Sequence, residues 1–487
     1  MNLKQNKEKS ITHKGVDTSF TPKNIVSMSD FLIFFHLDNQ DIETFDIHHS
    51  GNGGMQIDVK LSRKPTQCPV CLQMTTKVKD YSTKKITHSI MTNTKCTISY
   101  KARRYVCPRC HKTFYETNPF SVAGSRISLV TVYNILEDLR KPNTTFTDVG
   151  SRYNVSPTTV ANLFDSHVSI PRRQLPEYLC VDEVYAFQSA NSKYVCVLLD
   201  FQTHNVIDVL PSRQKHYLMD YLYNIPLKER ERVKVVSFDM WETYRQVSKI
   251  MFPNACCAID HFHVIQEFNR KLTRVRIDTM NRYYSRKNYL KNKGNLSPSE
   301  QDELKEASKH YYALKKFNWM FFSTNSEKLD PNCTKKYNSV LERYCNYYDI
   351  FEFMTKDNSE LDLAYLMKYR LDEFYKKSDI NNAKTRLEEL IKEFRECPVK
   401  QMNQFADTLS KWKYEIINSF IRVDGKRITN GIIENRNKSI KLLKHSSNGY
   451  LNWSRFRNRI MFCLNPDTTY HMYPISNRKD GIITSSK

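Results

Sequence analysis

The feature that most constrains this chain is a matched pair of cysteine turns, Cys68-Pro-Val-Cys71 and Cys107-Pro-Arg-Cys110. In each, two thiols stand two residues apart, and two such pairs supply the four ligands of a tetrahedral zinc ion. Four thiolates leave no coordination position for water or substrate, so the expected role is structural. Between the turns, KITHSI and TISYKARRYV predict a hairpin that returns the second turn to the first. Cys96 and His111 are alternative ligands. Arg103, Arg104, Arg109 and Lys112 crowd the second turn and are candidate DNA contacts.

The rest of the composition narrows the class of partner. A formal charge of +23 on 487 residues suits a polyanion. The 13 cysteines are an odd number and no cleavable apolar leader precedes them, so a reducing cytoplasm is expected. No apolar run approaches the roughly 18 to 20 residues that cross a bilayer, so no membrane partner is expected.

After a polar start, MQIDVKLS alternates as a strand. Further on, TFTDVGSRYNVSPTTVANLFD predicts two helices about a short break, with Phe146, Val149 and Tyr153 on one apolar face of the first. Such a pair can act as a helix-turn-helix that presents Ser156, Thr158 and Thr159 to a major groove, although ordinary helix packing produces the same pattern.

Three apolar runs, YLCVDEVYAF, KYVCVLLDF and NVIDVLP, then predict an antiparallel meander. VKVVSFD and ACCAID flank a helix-compatible segment, the alternation of parallel strands joined by a crossover. Long charged segments follow, which predict a helical insertion. The predicted domains are an N-terminal region (1–65), a zinc module (66–116), a helix-turn-helix domain (121–175), the first part of a catalytic core (176–264), a helical insertion (265–425), and the last part of the core with a basic helix (426–487).

Acidic residues in apolar contexts mark the candidate active site, because buried carboxylates need hydrogen bonds or cations. Asp182 lies within the first strand, Asp239 ends VKVVSFD, and Glu434 opens a late helix. In an RNase H-like sheet the first and fourth strands are neighbours, and the helix would bring Glu434 to them. Three converging oxygen donors suit magnesium, with manganese as a substitute, and two ions would support phosphoryl transfer. Asp260, which ends ACCAID beside His261 and His263, is the rival to Asp239. Asp200 and Glu183 are expected to point elsewhere. Lys438 and Lys441 follow Glu434 at i+4 and i+7 and, with Arg459, are candidate phosphate contacts.

Taken in order, CPVC, RRYVCPRCHKTF, VDEVYAF, VVSFDMWETY, FPNACCAIDHFHVIQEFNR and TNGIIENRNKSIK resemble the ISL3 family of bacterial insertion-sequence transposases over nearly the whole chain. The resemblance implies a multidomain α/β protein: an RNase H-like DDE core interrupted by a helical insertion, with zinc-knuckle and helix-turn-helix modules ahead of it. It implies metal-dependent cleavage and strand transfer at terminal inverted repeats and target DNA by a dimer or larger assembly in the nucleoid. His261 and His445 stand where relatives are expected to carry arginine. Two other functions fit the same residues, a magnesium-dependent nuclease without joining activity and a catalytically inactive zinc-containing regulator.

Overall fold

The computed structural model describes residues 28–49, 54–89, 94–188, 192–322, 329–356 and 358–474, and the polar opening stretch lies outside them. The chain divides into two compact units, one of residues 1–170, 446–448 and 454–487 and the other of residues 171–445 and 449–453.

In the first unit α1 (Met28–Phe34) precedes β1 (Ile42–His49) and β2 (Met55–Leu61). The short strands β3 (Thr66–Gln67) and β4 (Met74–Thr75) bracket the first cysteine turn. The expected hairpin is β5 (Val78–His88) against β6 (Cys96–Val106), and β7 (Thr113–Tyr115) follows the second cysteine turn. The sheet order is β1-β2-β6-β5, with β7 also on β6. Period-2 alternation places Ile57, Val59, Ile86, Ile98 and Tyr100 on one face, where Phe31 and Phe120 close the core.

Three helices follow: α2 (Leu129–Asp138), α3 (Phe146–Tyr153) and α4 (Pro157–His167). Asn154 ends α3 in the left-handed conformation and Ser156 caps α4. Gly150 makes this turn possible, since a Cβ there would lie 2.7 Å from the Val155 carbonyl oxygen.

His88 is buried and its Nδ1 lies 2.8 Å from Ser128 Oγ. Burial pushes its imidazole down to about 4. The fold therefore favours the neutral ring, and that contribution is complete above the unfolded value near 6.5 and lost as pH falls from there towards 4. Up to roughly 3 kcal/mol of this unit's stability should disappear across that window. Urea unfolding at pH 7.5 and pH 5 checks this, and His88→Gln should flatten the difference.

The second unit is built on β8 (Tyr178–Tyr185), β9 (Tyr194–Asp200), β10 (Val206–Leu210), β11 (Val235–Phe238) and β12 (Cys256–Ile259). The sheet order is β10-β9-β8-β11-β12: the first three form an antiparallel meander, β11 pairs parallel to β8, and β12 pairs parallel to β11. Helices α5 (Lys215–Tyr223), α6 (Leu227–Arg230) and α7 (Glu242–Met251) fill the connections. The helical segment comprises α8 (His261–Lys293), α9 (Pro298–Lys316), α10 (Tyr347–Thr355), α11 (Ser359–Lys377), α12 (Ala383–Glu396), α13 (Lys400–Lys411) and α14 (Lys413–Asn418). Then come α15 (Gly431–Ser446) and α16 (Trp453–Leu464).

Two expected boundaries change. The helical insertion is not a separate body: α8 starts directly after Asp260, and Phe268 packs on Phe394 and Phe405 in the same apolar core as Val236 and Ile259. The terminal stretch is divided, with α15 in the second unit and most of α16 in the first, where Phe462 meets Phe164. Among the described residues, no helix is long and apolar enough to cross a membrane.

Candidate active site and metal centre

The four cysteine sulfurs lie within 4.8 Å of one another. Cys68 and Cys110 are 3.6 Å apart and Cys71 and Cys107 3.4 Å, close to the roughly 3.8 Å edge of a tetrahedron with bonds of about 2.3 Å. The two turns share one geometry. In each, the residue after the second cysteine has positive φ (Leu72 62°, His111 56°) and donates its N–H to the first cysteine's carbonyl at 3.0 and 3.1 Å. His111 is therefore a turn residue, and Cys96 is buried in the sheet core outside the cluster. The backbone N–H of Cys110, assisted by that of Arg109 and opposed by burial, pulls the Cys107 thiol down to about 6. Against the Lys112 N–H, burial and the sulfurs of Cys71, Cys68 and Cys107 push Cys110 up to about 12. The four sulfurs oppose one another's ionisation, and a bound cation would relieve that.

In the second unit, Asp182 and Asp239 are carried by neighbouring strands and Glu434 by α15. Ser237 stands opposite Cys180 in the last pair of β11 with β8, and Asp239 follows just past the end of β11, at the end of the sheet towards which β8 carries Asp182. From α15, Asn437 donates its side-chain N–H to Asp182 Oδ2 at 2.8 Å, and Glu434 lies one turn earlier on that helix. Burial, reinforced by the charges of Glu183, Asp239 and Glu434 and opposed by the Glu183 N–H, pushes Asp182 up to about 7. Burial and Glu183 push Asp239 up to about 6, against His263 and Arg213. Asp239 Oδ1 and Asn437 Oδ1 are both buried without a hydrogen-bond partner. Repelling carboxylates and orphaned acceptor oxygens are what a cation would relieve.

Asp260 is differently occupied. It is 1% exposed; its Oδ1 accepts from the Phe262 N–H at 3.1 Å and its Oδ2 from the Asn430 N–H at 2.8 Å and Thr429 Oγ1 at 3.2 Å. Burial pushes this carboxyl up, but the hydrogen bonds from His261, Phe262 and Asn430 hold it below its ordinary value. Asn430 also donates to the Val181 carbonyl and accepts from Ser237, so Asp260 fastens the start of α15 across the sheet. Asp260→Ala should cost about 3 kcal/mol by orphaning these donors, measured by urea unfolding, and should lower any cleavage only in part.

Of the remaining sequence candidates, Glu183 faces away from Asp182 onto Arg213 and Tyr244, and Asp200 holds its own turn through Gln202 and Thr203. Arg103 is 1% exposed and pairs with Glu43 and Glu116. Arg459 is 0% exposed, with Nη2 donating to the Thr144 carbonyl at 2.9 Å. Both expected DNA contacts are corrected, because a guanidinium enclosed by protein acceptors cannot reach phosphate. Arg104 pairs with Asp80, while Arg109, Lys112, Lys438 and Lys441 are exposed. Ser156 is exposed but its hydroxyl is engaged with Thr159, and Thr158 is exposed beside them. Sequence reasoning missed Asn437, and the available signal was a polar residue in the buried Ile433, Ile440 row of α15.

The sheet and its acids define a domain that a family model described as "Transposase", for ISL3-type DDE transposases, matches over residues 179–460, more than half of the chain. A second model, "zinc-finger of transposase IS204/IS1001/IS1096/IS1165", matches residues 64–110 and includes all four cysteines. The chain belongs to the ISL3 transposase family. It is also similar to the transposase for insertion sequence element IS1001 of Bordetella parapertussis, with 29% identity over 106 residues. That match spans 22% of this chain and 26% of the relative.

Proposed function

We propose that the protein is a DNA transposase in which Asp182, Asp239 and Glu434 form a magnesium site that cuts DNA at insertion-sequence ends and joins the released 3′-hydroxyls to a target. The observation that carries the reading is the orphaned, buried Asp239 Oδ1 beside an Asp182 whose ionisation its acidic neighbours oppose. The sheet order, a meander followed by parallel strands, supports an RNase H-like core. Two magnesium ions, with manganese as a substitute, would supply activation of water or a 3′-hydroxyl and charge stabilisation at the phosphate.

The chain's own residues prepare that chemistry. Asn437 orients Asp182, Asp260 and Asn430 fix the helix that carries Glu434, and exposed Lys438 and Lys441 on that helix meet DNA phosphates. In the N-terminal unit, a zinc ion on the four cysteines holds Arg109 and Lys112 at the surface, and α3 and α4 act as a helix-turn-helix for the terminal repeats. Paired ends imply at least a dimer, working on double-stranded DNA in the cytoplasm. A supercoiled donor carrying two repeat ends tests the reading. Cleavage with strand joining supports it, cleavage alone indicates a nuclease, and binding without cleavage indicates a regulator.

A further inference from the structure

Beyond the acids, the carboxyl end of β8 and the facing start of β9 carry two aromatic rings that core packing does not account for. Tyr185 is 48% exposed and Tyr194, its antiparallel partner on β9, is 38% exposed. Their ring centroids are 5.6 Å apart at 74°. Each ring has a cation against it: Lys444 Nζ of α15 is 4.3 Å from the Tyr185 centroid, and the Arg213 guanidinium is 4.3 Å from Tyr194 and 4.7 Å from Trp241. Arg213 is in turn held by Glu183, which also accepts from Tyr244 Oη at 3.1 Å. Tyr185 lies three residues beyond Asp182, roughly 10 Å along the strand and, by alternation, on the Glu183 face. α15 joins the two, with Asn437 on Asp182 and Lys444 two turns later against the Tyr185 ring. That separation is a reach of one or two nucleotides from the carboxylates.

We infer that Tyr185 and Tyr194, with Lys444 and Arg213, form a stacking ledge for an unpaired nucleobase next to the cut phosphate. Exposed tyrosines supply the π-faces on which any base can stack, and the adjacent cations attract the backbone that carries it. Where a terminal base is turned out of the duplex at the cut, a ledge here holds it. The inference rests on the reading of the acids as a DNA-cutting site, but its test does not depend on chemistry.

The test compares a duplex ending in a short single-stranded tail with the same duplex fully paired, in calcium buffer, with the full-length chain. With 5-iodouracil at the first unpaired position, photo-crosslinks should map to Tyr185 or Tyr194. The double variant Tyr185→Leu/Tyr194→Leu should lose the preference for the tailed duplex by about tenfold, while Tyr185→Phe/Tyr194→Phe keeps it. Crosslinks confined to other residues, or an unchanged preference in the leucine variant, overturn the ledge. If the leucine variant fails to fold, the crosslink map on the unaltered protein still decides. Failure of cleavage by the unaltered protein in magnesium would instead defeat the reading of the acids and leave the binding result standing.

Discussion

Asp182→Asn is expected to lower magnesium-dependent DNA cleavage by at least about 10³-fold, since the several kcal/mol supplied by a metal site are lost with one of its ligands. Binding to a DNA end should change little, because the exposed basic residues are untouched. The same substitution should raise the melting temperature in chelator. Burial and the charges of Glu183, Asp239 and Glu434 all oppose an ionised Asp182. A neutral amide removes those penalties, its oxygen keeps the Glu183 N–H, and its NH2 can donate to the bare Asn437 oxygen once that amide turns over. Lost activity with gained stability is the signature of a strained functional site and differs from simple misfolding. A gel-based cleavage assay with parallel thermal melts reads both effects. Asp182→Asn protein that cuts at the original rate would remove Asp182 from the site.

Cys107→Ser carries the second large effect. The cysteine turns have little core of their own: Val70 is 63% exposed, Leu72 64% and Met74 50%. A structural zinc contributes about 10–16 kcal/mol to folding in small metal-dependent modules, which no local packing here replaces. Bound zinc should fall from one ion per chain to none, and proteolysis should open the two cysteine turns, around 66–75 and 107–113. The sheet core of Ile57, Ile98 and Tyr100 has its own packing and should persist. Metal analysis and limited proteolysis measure these outcomes, and prolonged chelation of the unaltered protein should reproduce them. Full zinc in the Cys107→Ser protein would contradict the four-sulfur site.

Much of this was readable because local rules act locally. Alternating and continuous apolar runs located the strands β2, β8, β9, β11 and β12, and charged helical text located the long segment from α8 to α14. The spacing of the cysteines was a direct statement of geometry. The choice between Asp239 and Asp260 was not readable, since both follow strands that pair in register, Phe238 opposite Ile259. Backbone and side-chain donors from Thr429 and Asn430, far along the chain, occupy Asp260 and leave Asp239 Oδ1 bare. The same long-range dependence hid the buried arginines. Arg103 and Arg459 look like surface charge until Glu43, Glu116 and the Thr144 carbonyl are brought around them. It also hid the division between α15 and α16, because an amphipathic helix does not specify which core receives its apolar face.

The most direct measurement is an anomalous-scattering map from crystals of the full chain soaked in manganese. The account predicts a peak among the carboxylates of Asp182, Asp239 and Glu434, and none at Asp260. Manganese bound only elsewhere, with Asp239 still unpartnered in the occupied crystal, would contradict it.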